Sequence, residues 1–287
     1  MTAWQPQRVV ELLLAAGGIA LEHYERPRRD LKRDGSLVTQ ADTAIEQFLT
    51  RELEAPARDC YLLGEETAEA QDAAYFRRAL AGTMYVVDPI DGTAPYAHHV
   101  PVWGVSLGCA QAGVLTDGAV YLPVTGELFI TTPAGVELWR FPAGARAAAA
   151  GTAERLPPAA TGPLHPGGLI AISQLYTKSG TLRLPNPLHT LCCAVVPLTY
   201  LLLGRYELYL ADLKLWDAAG AIPMLARLGY EMGFRDGRRL TPRLSEDWLR
   251  LGADDPQRWK LRGTCLFGRP GLAPAFWPLV HCQRDQV

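Results

Sequence analysis

An apolar strand that runs straight into two carboxylates, Val86-Val87-Asp88-Pro89-Ile90-Asp91-Gly92-Thr93, restricts this chain more than any other stretch. Like charges repel, and ionised groups resist burial, so acids at the end of a buried strand need a counter-charge. A hard cation such as Mg²⁺ supplies it and favours carboxylate and carbonyl oxygens. Pro89 interrupts a regular ladder and sets the chain direction. A turn there lets Asp88 and Asp91 face one cation and frees the Ile90 carbonyl. Gly92 permits close backbone approach, Thr93 brings a hydroxyl, and Pro95 suits the first turn of a helix. The pattern points to Mg²⁺-dependent chemistry on a phosphate ester.

The bulk properties exclude several classes. With 287 residues, 48% hydrophobic, the chain can bury a sizeable core and is not disordered. Its net charge of -2 gives no reason to expect a nucleic acid or an anionic membrane as partner. The run 197–203 is too short to span a bilayer. Glu11 interrupts the apolar N-terminal stretch and no basic segment leads into it, so a secretion signal is not expected. None of Cys60, Cys109, Cys192, Cys193, Cys265 and Cys282 forms a Cys-x-x-Cys pair, and Cys192-Cys193 reads as buried free thiols. A soluble protein of the reducing cytoplasm is expected.

Periodicity outlines an α/β chain. Helices are predicted over 6–25 and 43–54, the second opened by a Thr43-x-x-Glu46 capping box. Short buried strands are predicted at Tyr61–Leu63 and Met84–Val87, with a turn at 32–35. Residues 104–140 alternate and carry turn signals, which predicts an antiparallel meander. The Ala/Pro/Gly-rich segment 141–168 reads as an exposed connection. Beyond it the pattern predicts strands near 169–173, 206–211 and 230–234, with helices at 190–203, 217–228, 245–251 and 273–282. The expected organisation is an N-terminal α+β lobe (1–140), the connection (141–168) and a C-terminal α/β lobe (169–287).

Other acids join the pattern, each with a plainer reading of its own. Gly64-Glu65-Glu66 follows a predicted strand but also suits the start of a helix. Asp217, in Trp216-Asp217-Ala218-Ala219-Gly220, also reads as a helix N-cap, as does Asp42. His98-His99 invites zinc, but the neighbouring candidate ligands are all oxygen, which favours a surface role. It is the four acidic segments together, in this order, that make a site.

These segments resemble the inositol monophosphatase family of Mg²⁺-dependent, lithium-sensitive phosphatases. The resemblance rests on Asp88-Pro89-Ile90-Asp91-Gly92-Thr93, Leu37-Val38-Thr39-x-x-Asp42, Gly64-Glu65-Glu66 and Trp216-Asp217-x-Ala219-Gly220. It implies a layered αβαβα sandwich of the sugar-phosphatase type, commonly a homodimer, with the active site between lobes. It implies that Glu65, Asp88 and the Ile90 carbonyl hold one metal, and Asp88, Asp91 and Asp217 a second. A third, weaker Mg²⁺ near Glu65 belongs to the same analogy. The resemblance further implies that Asp42 and Thr93, with Glu65, make up the catalytic set, the first two positioning water. It implies that Gly92, Thr93 and Asp217 face the substrate, expected to be a small phosphorylated metabolite.

The pocket departs from the family pattern. Cys192-Cys193-Ala194 stands where Gly-Ser-Ala is usual, and Leu210 or a neighbour replaces a substrate-binding Glu. Lys214, Arg183 and Arg205 read mainly as surface charges, with anion contact the lesser reading. Inositol, sugar, nucleotide and histidinol phosphates all stay open as substrates. Two competing readings remain. A dehalogenase-type phosphatase needs Asp-x-Asp, but Asp88 and Asp91 are one residue further apart. A metal-dependent binding or regulatory protein that has lost turnover has no need of the Thr93–Asp42 pair.

Overall fold

The structure is a computed structural model that describes residues 4–32, 35, 37–146 and 151–282. Pro6 opens α1 (Pro6–Tyr24), whose Leu12, Leu13, Ala16 and Ala20 are buried. Strands β1 (Arg29–Leu31) and β2 (Leu37–Thr39) pair antiparallel. The predicted turn is present, with the Gly35 N–H donating to the Lys32 carbonyl (2.9 Å), while Arg33, Asp34 and Ser36 lie outside the described residues.

Helix α2 (Gln40–Leu53) starts earlier than predicted because the cap is Thr39, not Thr43. Thr39 Oγ1 accepts the Ala41 N–H (3.2 Å), and the Thr39 N–H donates to Asp42 Oδ2 (2.8 Å). Asp42 is therefore both a candidate site residue and a helix-capping acid.

The chain continues through β3 (Cys60–Gly64), α3 (Ala73–Ala81), β4 (Thr83–Asp91) and the short α4 (Thr93–Ala97). The predicted meander follows as β5 (Gly104–Gln111), β6 (Val114–Leu122), β7 (Glu127–Thr132) and β8 (Gly135–Arg140). A further strand, β9 (Thr152–Arg155), pairs antiparallel with β8 where an exposed connection was expected. Its four residues are exposed, so it gave no apolar signal, and only the buried Leu156 anchors its end. The sheet has seven strands in the order β3-β4-β5-β6-β7-β8-β9, with β3 and β4 parallel.

The rest of the chain is β10 (Ile170–Ile172), α5 (Gln174–Ser179), β11 (Gly180–Leu182), β12 (Leu188–His189), α6 (Val195–Leu202), β13 (Leu208–Ala211), α7 (Leu215–Ala219), α8 (Ile222–Leu228), β14 (Glu231–Phe234), β15 (Cys265–Gly268), α9 (Ala273–Phe276) and β16 (Val280–Cys282). The helix predicted over 190–203 covers only 195–202, because Cys192 sits in the left-handed region at φ 57°. The one predicted over 217–228 is two helices, divided at Gly220-Ala221. Residues 245–251 are not helical: Leu249 instead bridges Leu261. The segment 273–282 leaves its helix to pair β16 with β11.

The layers follow from what each apolar face covers. Helices α1 and α2 pack on one face of the seven-stranded sheet and α6, α7 and α8 on the other. A five-stranded sheet, β12-β10-β13-β15-β14, closes over α6, and its outer face buries Tyr176 and Phe276 from α5 and α9. The result is an α-β-α-β-α sandwich, the architecture expected.

Candidate active site

Strand β4 carries Asp88 and Asp91 to the core, where their exposures are 1% and 8%. Its pairing with β5 slips between these two residues, at the proline that lacks an N–H. Gly92 then turns the chain at φ 91°, and a Cβ there would lie 2.8 Å from the Val102 carbonyl oxygen. Only glycine satisfies both constraints. From the second half of the chain, α7 brings Asp217. One oxygen from each of Asp88, Asp91 and Asp217 lies within 4.8 Å of the others.

Each acid is partly committed. Asp91 Oδ2 accepts N–H groups from Ala194 (2.6 Å) and Val195 (2.5 Å) and the Cys193 thiol (3.0 Å). Asp217 Oδ2 accepts the Lys214 N–H (2.8 Å). Asp88 Oδ1 is buried with no donor among the described residues. At this spacing each pair of unit charges repels by about 3 kcal/mol at an effective dielectric near 20. Burial raises all three carboxyl pKa values, and neighbouring acids add to the rise at Asp88 and Asp217. Asp91 rises only to about 6, because its three donors favour the charged form. An orphaned buried oxygen among three crowded acids fits a divalent cation.

Glu65 is held differently from expectation. Its Oε1 accepts Lys32 Nζ at 2.9 Å, and Glu66 Oε1 accepts the same ammonium at 2.7 Å. Burial opposes the Lys32 charge, but Glu65 and Glu66 outweigh it and hold its pKa above the ordinary lysine value. Glu66 is pushed up to about 7, chiefly by burial. A lysine ammonium thus sits on Glu65, the carboxylate that the resemblance gives to metal, and on its neighbour Glu66. Beneath them, the buried Glu46 accepts the Glu66 N–H (2.9 Å), in place of its predicted capping role. Sequence reasoning missed both supports: Lys32 reads as part of a turn, and Glu46 as the capping partner of Thr43.

Thr93 and Asp42 do meet. Thr93 Oγ1 lies 3.4 Å from Asp42 Oδ1 and 3.0 Å from the Ile90 carbonyl oxygen, so its single proton goes to the carbonyl. Asp42 is fully buried and pushed up to about 6 by desolvation, against the Thr39 hydrogen bonds.

A cavity of about 560 Å³ opens beside these acids, lined among others by Asp91, Asp217, Gln174, Lys178, Cys192 and Asp212. Cys192 is exposed on its wall, contrary to the buried thiol expected, and its Sγ lies 2.7 Å from Gln174 Nε2. Leu210 is buried in the outer core, and Asp212, paired with Lys260 at 2.9 Å, is the nearby acid that reaches the cavity. Lys178 lines it where Lys214, Arg183 and Arg205 do not, and Arg205 pairs with Glu127 at 2.9 Å. His98 is exposed against Arg29, with no metal-ligand geometry around it among the described residues.

A family model for inositol monophosphatases matches residues 7–260. A histidinol-phosphatase of Chlorobaculum parvum is 32% identical over 125 residues, covering 43% of this chain and 46% of that protein. An inositol-1-monophosphatase of Rhizobium meliloti is 27% identical over 210 residues, covering 69% and 72%. The chain thus spans about half the length of the first of these relatives. In three dimensions, a staphylococcal inositol monophosphatase solved after a LiCl soak superposes with a TM-score of 0.71 at 15% identity, over 96% of this chain and 94% of that one. No helix among the described residues is long and apolar enough to cross a membrane.

Proposed function

We propose that this chain, which belongs to the inositol monophosphatase family, is a Mg²⁺-dependent phosphomonoesterase acting on a small phosphorylated metabolite. The observation that carries the reading is the convergence of Asp88, Asp91 and Asp217 beside an open cavity, with Asp42 and Thr93 adjoining. Asp88, Asp91, Asp217, Glu65 and the Ile90 carbonyl are the groups that would hold the ions. Bound Mg²⁺ would supply charge neutralisation for the phosphoryl group and a lowered pKa for attacking water.

The protein's own groups account for the rest. Thr93 Oγ1 orients a water, and Asp42, poised at about 6, receives its proton near neutral pH. A new P–O bond forms in line as the ester P–O bond breaks, and the leaving alcohol takes a proton from solvent. The Gly92 and Thr93 amides face the phosphate oxygens. Lys32 must leave Glu65 when a cation arrives there, which makes its two-carboxylate bridge a stand-in for metal charge.

A phosphate-release panel of inositol, fructose, nucleotide and histidinol phosphates with Mg²⁺ tests the reading. Release is expected on at least one substrate and should fall in LiCl against matched NaCl. Normal Mg²⁺ binding with no release across the panel would instead favour a binding protein. Thr93→Val, which keeps shape and deletes the hydroxyl, is expected to cut kcat by about 100-fold with little change in KM. A kcat unchanged by that substitution removes Thr93 from the chemistry.

A further inference from the structure

Cys192 and Cys193 are adjacent in the chain but face different surroundings. The backbone of Cys192 lies at φ 57°, in the left-handed region that residues other than glycine seldom adopt. With this turn the Cys192 thiol is exposed on the wall of the catalytic cavity, whereas Cys193 is 6% exposed. A strained conformation persists only where its surroundings hold it. What holds this one is Asp91.

Three donors converge on one oxygen of that carboxylate. The Ala194 and Val195 N–H groups come from the start of α6, and the third donor is the Cys193 thiol, 3.0 Å from Oδ2. The same sulfur lies 3.7 Å from the Asp91 carbonyl oxygen, so it touches both the side chain and the main chain of this residue. It also packs on the turn that follows: a Cβ at Gly92 would lie 3.1 Å from the Cys193 Cβ. A carboxylate oxygen offers about two lone pairs, so Oδ2 is fully occupied. No donor among the described residues reaches Asp91 Oδ1. The last torsion of an aspartate is broad and two-fold, so without restraint its two oxygens exchange places.

We propose that Cys193 is a positioning residue for the metal centre. By holding Oδ2 of Asp91 against α6, it keeps Oδ1 as the oxygen left for a divalent cation shared with Asp88 and Asp217. The inference rests on the metal reading above and adds to it a residue that is not itself a ligand. Partners that orient a metal ligand are typically worth about 10- to 100-fold in metal affinity. A thiol is a weak donor, and the two amides remain in its absence, which puts Cys193 at the lower end of that range.

Alanine and serine have nearly the same volume, so Cys193→Ala and Cys193→Ser leave the same gap and differ by one hydroxyl donor. The metal-free chain is titrated with Mg²⁺ in a calorimeter. Cys193→Ala is expected to bind about tenfold more weakly than Cys193→Ser, whose Kd stays within about threefold of wild type. A merely structural role would weaken both variants alike. Cys193→Thr and Cys193→Val, again alike in shape, repeat the contrast if the smaller pair fails to fold. Saturable binding in the wild type with equal affinities in the two variants overturns the role of Cys193 and leaves the metal reading intact. Tighter binding by Cys193→Ala than by Cys193→Ser overturns it as well. Absence of saturable Mg²⁺ binding in the wild type removes the metal reading itself, and this inference with it.

Discussion

Asp91→Asn lowers kcat by about a thousandfold and, in the absence of metal, raises the melting temperature. Both effects come from one carboxylate. Asparagine keeps an oxygen to accept the Ala194 and Val195 N–H groups, so the join between β4 and α6 persists. It removes one of three negative charges packed within 4.8 Å, and with it a share of their mutual repulsion. Relief of about 1–2 kcal/mol corresponds to about 2–3 °C in a chain of this size. Magnesium should act the opposite way. At 100 times its Kd it stabilises the wild type by about 2.7 kcal/mol, and the variant far less.

The same charges set a pH dependence. Burial raises the folded pKa of Asp91 and Asp42 to about 6, and those of Asp88 and Asp217 also rise. The folded chain therefore binds these protons more tightly than the unfolded one, where carboxylates titrate near about 4. Metal-free protein should gain stability as pH falls from 7 through about 6 and lose it again on the way up, with Mg²⁺ flattening the slope. Thermal melts with and without Mg²⁺ read all of this. An unchanged melting temperature in the variant, together with activity within about tenfold of wild type, would falsify the metal role of Asp91.

Gly118→Ala has the second large effect expected, and it acts at a distance from the chemistry. A Cβ at Gly118 would lie 2.1 Å from the Gly220 carbonyl oxygen, and one at Gly220 would lie 2.6 Å from that of Ala119. Backbone meets backbone there, with no flexible side chain to yield. Ser106 Oγ adds a hydrogen bond to the Trp216 carbonyl (3.1 Å), so α7 rests directly on β4 and β5 while Gly220 at its end rests on β6. That contact sets how far Asp217 reaches toward Asp88 and Asp91. Forcing it open costs about 3 kcal/mol of stability. A displacement of Asp217 by about 1 Å costs roughly a further 100-fold in turnover, with a weaker apparent affinity for Mg²⁺. Gly237→Ala, at an open surface position with φ 87°, gives the comparison: strain in stability without loss of turnover. A Gly118→Ala enzyme with wild-type Mg²⁺ dependence and melting temperature would show that the contact is slack.

What the primary structure revealed was local. Val86–Thr93 announced a strand, a broken ladder and two acids because those features lie within eight residues. The alternation of 104–140 gave the meander for the same reason. Asp91 is held by amides more than a hundred residues away, and nothing in local periodicity marks Ala194 or Val195 as its partners. The predicted helix over 190–203 had the right apolar content, but the left-handed turn at Cys192 delays its start until Asp91 can meet its first N–H groups. Lys32 and Glu46 were legible as residues and invisible as supports, because their partners lie on other elements. The edge strand Thr152–Arg155 had no buried face to betray it.

The Asp91 bonds to Ala194 and Val195 also bear on descent. Position 91 fastens the two sheets' halves of the molecule together whether or not any ester is ever cleaved. A lineage that abandoned hydrolysis would keep an acceptor there for architecture alone, while Thr93, whose hydroxyl fastens nothing beyond the neighbouring Ile90 and Asp42, would be free to drift. Under the proposed function, an uncharged acceptor at position 91 would mark the join alone, whereas aspartate there together with threonine at 93 would mark a working catalyst.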